Sequence, residues 1–124
     1  MILLFAKIVI GIVALLHIYF LWLEMFVWTT KAKKVFRTLK EDLFEPTKTL
    51  AANQGLYNGF LAAGLIWSLI IKDDVWQIYV ALFFLSCVSV AGIYGAITAS
   101  KKIFWVQALP ALTGILLLLV HQYL

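Results

Sequence analysis

Four long apolar segments, separated by three polar gaps, make up most of this chain. They cover about residues 2–29, 50–71, 75–99 and 103–124. Each segment reaches or exceeds the ~20 residues that an α-helix needs to cross a ~30 Å hydrocarbon layer. Lipid offers no hydrogen-bond partners to backbone groups, so continuous apolar segments of this length should be helical. The pattern therefore predicts an all-α integral membrane protein built as a bundle of four transmembrane helices.

The composition also indicates a lipid environment, and it excludes several classes of protein. Hydrophobic residues make up 65% and charged residues 13% of the 124 residues, against about 45–50% and about 25% in soluble domains. A soluble domain of this size could not bury so much apolar surface. Cys87 is the single cysteine, which excludes an intrachain disulfide framework. We therefore expect one membrane domain, residues 1–124, in contact with the lipid bilayer, without nucleic-acid partner, metal site or cofactor.

The longest gap, residues 30–49, has an amphipathic pattern of its own. Apolar residues recur there at helical spacing, and basic residues fill the opposite side; the apolar ones are Val35, Phe36, Leu39, Leu43 and Phe44. This pattern predicts an amphipathic helix that lies in the membrane interface between the first and second spans and ends at Pro46. The alternative interpretation is a solvated basic loop.

The basic residues also predict the orientation in the membrane. Eight lie in the gaps on one side: Lys31, Lys33, Lys34, Arg37, Lys40, Lys48, Lys101 and Lys102. Only Lys7 and Lys72 lie on the other side. Because Lys and Arg are enriched in cytoplasmic loops, we expect a multi-pass protein of the cell (inner) membrane. Residues 30–49 would be cytoplasmic, and both termini would lie outside the cytoplasm.

Polar residues within the spans are expected to face the bundle interior, because lipid-facing polar groups are costly. At 100° per residue, His17 and Glu24 share one face of the first span. With the orientation above, most polar residues of all four spans fall in the cytoplasmic half. We therefore expect a polar cavity there, with a ligand-binding set of Glu24, Trp28, Asn53, Gln54, Tyr57, Asn58, Tyr94 and Gln107. Catalytic residues are not assigned, and His17 and Glu24 are the candidates for such a role.

Each of these residues also has a structural interpretation. Glu24 could pair with Lys31, Lys101 or Lys102 at the inner interface. His17 and the amides could be interhelical hydrogen-bond partners. The small residues of two spans, Gly55 with Gly59 and Gly95 with Ala99, could let a neighbouring helix approach closely, within the chain or in a homo-oligomer.

Three classes of function fit these observations. The first is binding or transport of a small or lipid-like ligand in the polar cavity, with Glu24 carrying charge or a proton. The second is a membrane-embedded enzyme that uses Glu24 and His17 as acid–base groups. No nucleophile stands beside a base, so the sequence favours a protein without enzymatic activity. The third is a structural or assembly subunit that associates through its small-residue faces.

Four segments of the chain resemble a known family. They are EMFVW at residues 24–28, AANQGLYNGF at 51–60, AGIYG at 91–95 and VQALP at 106–110. Together they are similar to the domain-of-unknown-function family numbered 1304, and the resemblance spans nearly the whole chain. It implies a small bacterial or fungal four-helix membrane protein without an assigned activity. The resemblance therefore informs fold and location, and its segments coincide with the expected cavity.

Overall fold

The computed structural model describes all 124 residues and contains helices and turns but no strand. Five α-helices follow one another: α1 (Ile2–Met25), α2 (Ala32–Val35), α3 (Lys48–Ile70), α4 (Asp74–Thr98) and α5 (Leu109–Tyr123). A 3₁₀ turn covers Glu41–Leu43, and a π-helical turn at Phe104–Ala108 leads into α5. The all-helical prediction is therefore confirmed.

Three helices are long and apolar enough to cross a membrane. They are Ile2–Met25, Asp74–Thr98 and the joined helix Phe104–Tyr123. Helix α3 has a similar length of 23 residues, but its amides make it more polar than the other three. The observed helices follow the apolar segments of the sequence, except that α1 ends at Met25 rather than near residue 29.

The four long helices form a closed ring in which each packs against two neighbours. Helix α1 lies between α3 and α5, and α4 contacts the same two helices from the opposite side. Helices α1 and α3 are antiparallel, because Gly55 faces Met25 and Gly59 faces the earlier residue Leu21. The interior contains a continuous apolar core: Ala6, Ile10, Val13, Ala14, Leu65, Ile78, Ala81, Leu85, Val88, Ala111 and Leu118.

The segment between α1 and α3 differs from the expected continuous amphipathic helix. Its helical parts are only the four residues of α2 and the 3₁₀ turn. A second apolar cluster explains the difference, because buried Phe44 folds back onto Leu23 and Ala32. The Trp28 ring lies 4.8 Å from the Phe44 ring, and its Nε1 donates to Thr47 Oγ1 at 3.1 Å. A straight helix could not bring these residues together, and their burial offsets the lost helical hydrogen bonds.

Two local features at the helix ends follow directly from the sequence. Asp73 caps α4, since its carboxylate accepts a hydrogen bond from the Trp76 backbone N–H at 2.9 Å. The π-helical turn immediately precedes α5, which has a proline, Pro110, in its first turn. Proline has no N–H, and its ring crowds the carbonyl four residues earlier, so a regular α-helix is disfavoured at this point.

Candidate functional site

Helix α1 carries two buried polar side chains on the face that it turns to the bundle. His17 is fully buried and Glu24 is 3% exposed. They are seven residues apart, which is about 10 Å along a helix axis. Each of them meets an amide side chain from a different neighbouring helix. The structure thus contains two separate polar pairs along one apolar helix.

The first pair joins Glu24 to Asn58 of α3. Asn58 Nδ2 donates to Glu24 Oε1 at 2.7 Å. Gly55, one turn away on α3, permits this contact, because a Cβ there would lie 2.7 Å from Met25 Cγ and 3.0 Å from Glu24 Cβ. The small-residue stripe of α3 therefore brings its backbone close enough for a short amide side chain to reach the carboxylate.

No basic side chain neutralises Glu24. The only ion pair of the chain joins Lys33 and Glu41 at 3.6 Å on the surface. Lys31, one of the expected partners, instead lies over the Trp22 ring, 5.1 Å from its centre. A single amide partner satisfies only part of what a buried carboxylate requires. The Glu24 site therefore has the chemistry to hold a proton, or a ligand that offers a cation or a hydrogen-bond donor.

The second pair joins His17 to Gln107 of the π-helical turn. His17 Nδ1 lies 2.8 Å from the Val13 carbonyl oxygen, which can only accept, so Nδ1 carries the hydrogen. Gln107 Nε2 lies 3.0 Å from His17 Nε2 and donates to it. Both ring nitrogens are therefore occupied and the imidazole is neutral. This geometry suits interhelical hydrogen bonding and leaves His17 no free nitrogen for acid–base chemistry.

The other predicted site residues lie outside these two pairs. Trp28 belongs to the cluster around Phe44, where Thr47 accepts its N–H. Asn53, Gln54, Tyr57 and Tyr94 have exposed side chains. Gln54 is one helical turn before Asn58 on the same side of α3, but it forms no hydrogen bond with Glu24. The structure thus unites four of the sequence candidates in two pairs, rather than all of them around one cavity.

Three of the four small residues predicted for a homo-oligomer face pack within the chain, whereas Ala99 is exposed. Gly55 and Gly59 meet Met25, Glu24 and Leu21 of α1. Gly95 faces Ile103, whose Cγ2 would be 3.1 Å from an added Cβ. The close approach expected from the small residues is therefore made between helices of one chain.

Sequence reasoning missed the buried polar residue Gln77 in α4. Its side chain is 5% exposed, Nε2 donates to the Ile71 carbonyl at 3.3 Å, and Oε1 has no partner. An amide in the first turn of an otherwise apolar helix, four residues after the capping Asp73, is the signal that the sequence offers. The bond to Ile71 fastens the short turn between α3 and α4.

Substitution of Gln107 by leucine tests the structural role of the second pair. We expect the free energy of unfolding to fall by about 1–2 kcal/mol, because buried His17 Nε2 would lose its donor. The measurement is an SDS unfolding titration in dodecyl maltoside micelles, followed by far-UV circular dichroism. Gln122→Leu, at an exposed position of α5, is the control and should change little. Equal effects of both substitutions would contradict a stabilising His17–Gln107 bond.

The comparisons with known proteins agree with the resemblance seen in the sequence. Residues 11–119 match the family described as protein of unknown function (DUF1304). The chain is similar to uncharacterized protein YpaA of Lactococcus lactis subsp. lactis (strain IL1403), with 34% identity over 98 residues, which cover 77% of this chain and 81% of that protein. No solved structure matches the chain. The match includes α3, α4, most of α1 and α5, and both polar pairs, and this chain therefore belongs to the DUF1304 family of proteins of unknown function.

Proposed function

We propose that the protein crosses the cell membrane four times and binds a small or lipid-like ligand at Glu24, in the cytoplasmic half of the bundle. The surface supports the membrane location, since only 28%, 28% and 22% of the three most apolar helical windows is buried inside the protein. Large apolar side chains such as Leu15, Phe83 and Ile97 are exposed. In water, an apolar surface of this extent would cause aggregation, whereas lipid is a suitable solvent for it.

Helix α3 is proposed as the remaining span. Its 23 residues extend about 34 Å at 1.5 Å per residue, enough to cross the hydrocarbon layer. It runs antiparallel to α1 and in contact with it, so both helices would occupy the same layer. The more polar end of α3 would lie near the cytoplasm, in agreement with the excess of Lys and Arg in residues 30–49 and 100–102. Both termini would then be outside the cytoplasm.

The observation that carries the ligand proposal is the buried carboxylate of Glu24 with an amide as its partner and no cation nearby. Ionisable groups inside membrane helices are costly and are commonly functional. In the absence of a ligand, a proton bound to Glu24 would lower the free-energy cost of burying the carboxylate. A ligand with a cationic or hydrogen-bond-donating head could replace that proton. Asn58 would orient the carboxylate and Gln54 would lie at the rim. Transport would require exchange of the ligand across the membrane from this site.

A hydrophobic carbodiimide tests this proposal, because it reacts with protonated carboxyl groups in apolar surroundings. We expect dicyclohexylcarbodiimide to form an N-acylurea at Glu24 in proteoliposomes, detected by intact-protein mass and peptide mapping. Dodecyltrimethylammonium, a cationic amphiphile, should slow this labelling severalfold, whereas the neutral dodecyl maltoside should not. The reason is that a cation and the carbodiimide would compete for the same carboxyl group.

Two variants control this experiment. Glu24→Gln should abolish the labelling, and Glu41→Gln, which removes an 85% exposed carboxylate, should leave it unchanged. Labelling that the cationic amphiphile does not slow at any concentration below its micellar range would contradict a cation-binding site. Labelling that persists in Glu24→Gln would show that another carboxyl group is the reactive one.

A further inference from the structure

A shallow groove lies on the surface between the C-terminal end of α4 and the π-helical turn. Its volume is about 300 Å³, and it is lined by Ile93, Ala96, Ile97, Lys101, Phe104 and Trp105. Five of the six side chains are apolar, and the sixth, Lys101, belongs to the turn that follows α4. The two walls are held close together next to the groove, because a Cβ on Gly92 would lie 2.6 Å from the Ala108 backbone nitrogen. The groove is therefore a fixed feature of the packing of α4 on this turn.

The charge at the groove is uncompensated. Lys101 and Lys102 are both exposed, and neither forms an ion pair. The chain has no acidic residue after Asp74, so its own C-terminal half offers no side-chain partner. Lys101 lines the groove and Lys102 is its neighbour in the chain, so this turn presents a local positive potential at the groove.

We propose that this groove binds one anionic phospholipid, with its phosphate on Lys101 and Lys102 and an acyl chain along Ile93 and Ile97. An anionic phospholipid matches this arrangement, because its negative headgroup would lie at the lysines and its apolar acyl chain in the adjoining groove. Ile93 lies about 6 Å deeper than Ile97 along the axis of α4, so a chain entering from the lysines would extend toward the membrane centre. Basic clusters at the ends of membrane helices favour anionic lipids for the same electrostatic reason. This lipid site is separate from Glu24 and does not depend on the function proposed there.

Lipid retention in a neutral detergent tests the proposal without the surface potential of a bilayer. The protein in dodecyl maltoside is titrated with phosphatidylglycerol or phosphatidylcholine of identical acyl chains, and bound lipid is counted by native mass spectrometry. We expect one phosphatidylglycerol to bind in preference to phosphatidylcholine. In Lys101→Gln/Lys102→Gln the affinity for phosphatidylglycerol should fall about ninefold, because each exposed ion pair contributes about a threefold factor.

The matched control is Lys34→Gln/Lys40→Gln, which removes the same charge from two exposed lysines of residues 30–49. It should change the affinity less than twofold. If it weakens phosphatidylglycerol binding as much as the Lys101/Lys102 variant does, net charge rather than this groove is responsible and the proposal fails. Equal binding of phosphatidylcholine to the unmodified protein would also overturn it.

Two further measurements distinguish the contribution of the groove to lipid binding from that of the lysines. Ala96→Phe fills the groove and keeps both lysines, and we expect it to weaken phosphatidylglycerol binding at least fivefold. Brominated phosphatidylglycerol should quench the fluorescence of Trp105, identified as the signal lost in Trp105→Phe. Displacement of the lipid by millimolar sn-glycerol 3-phosphate, or full binding in Ala96→Phe, would show that the lysines recognise a phosphate alone and would overturn the lipid assignment.

Discussion

Replacement of Gly92 by alanine is expected to lower the free energy of unfolding by about 2–3 kcal/mol, which is in the range for overpacked interiors. Gly92 is buried, and an added Cβ would lie 2.6 Å from the Ala108 backbone nitrogen and 2.9 Å from its Cα. A side chain could rotate away from such a contact, but a backbone cannot. Helix α4 and the π-helical turn would therefore have to move apart. The measurement is an SDS unfolding titration in dodecyl maltoside micelles.

Gly11→Ala is the matched control for this prediction. Gly11 is also in a long apolar helix, but nothing lies within 4 Å of a Cβ at that position. The substitution should be neutral or stabilising by up to about 1 kcal/mol, because alanine is the better helix former. If the two substitutions had the same effect, the close contact between α4 and the π-helical turn would contribute nothing specific to stability.

The positions of the long helices could be predicted because they depend on how apolar each segment of the chain is. The second and third apolar segments end at charged residues, Lys72 and Asp73 in one case and Lys101 and Lys102 in the other, and the helices follow these boundaries. The end of α1 was predicted too late because Val27 and Trp28 are apolar and extend the first segment. They leave the helix to pack near Phe44. A hydropathy pattern cannot distinguish burial against lipid from burial against another part of the chain.

The residues of the candidate site could be predicted better than their partners. Periodicity placed His17 and Glu24 on the inner face of α1, and both are buried there. It did not predict which amide each would meet, because this depends on the rotation of the neighbouring helices. Gly55 sets the rotation of α3 and turns Asn58, rather than Gln54, to the carboxylate. The pairing of Gln107 depends likewise on the π-helical turn, whose position a pattern of 3.6 residues per turn does not describe.

Replacement of Asn58 by leucine is expected to lower the free energy of unfolding by about 2–3 kcal/mol, because it removes the hydrogen-bond donor of a buried carboxyl group. Glu24, which is 3% exposed, would have no side chain that donates to it. Glu24→Gln should cost much less, since its amide oxygen can still accept from Asn58 Nδ2. The same SDS titration measures both variants.

A double-mutant cycle distinguishes this effect from a general disturbance of α3. In Glu24→Leu/Asn58→Leu both polar partners are absent, so the loss should be at least about 1 kcal/mol smaller than the sum of the two single substitutions. Asn53→Leu, an exposed amide on the same helix, should change stability by about 0.5 kcal/mol or less. Additive losses, or an equal loss in Asn53→Leu, would mean that Asn58 does not stabilise Glu24. The Glu24 site would then lose the partner that is proposed to orient its carboxylate.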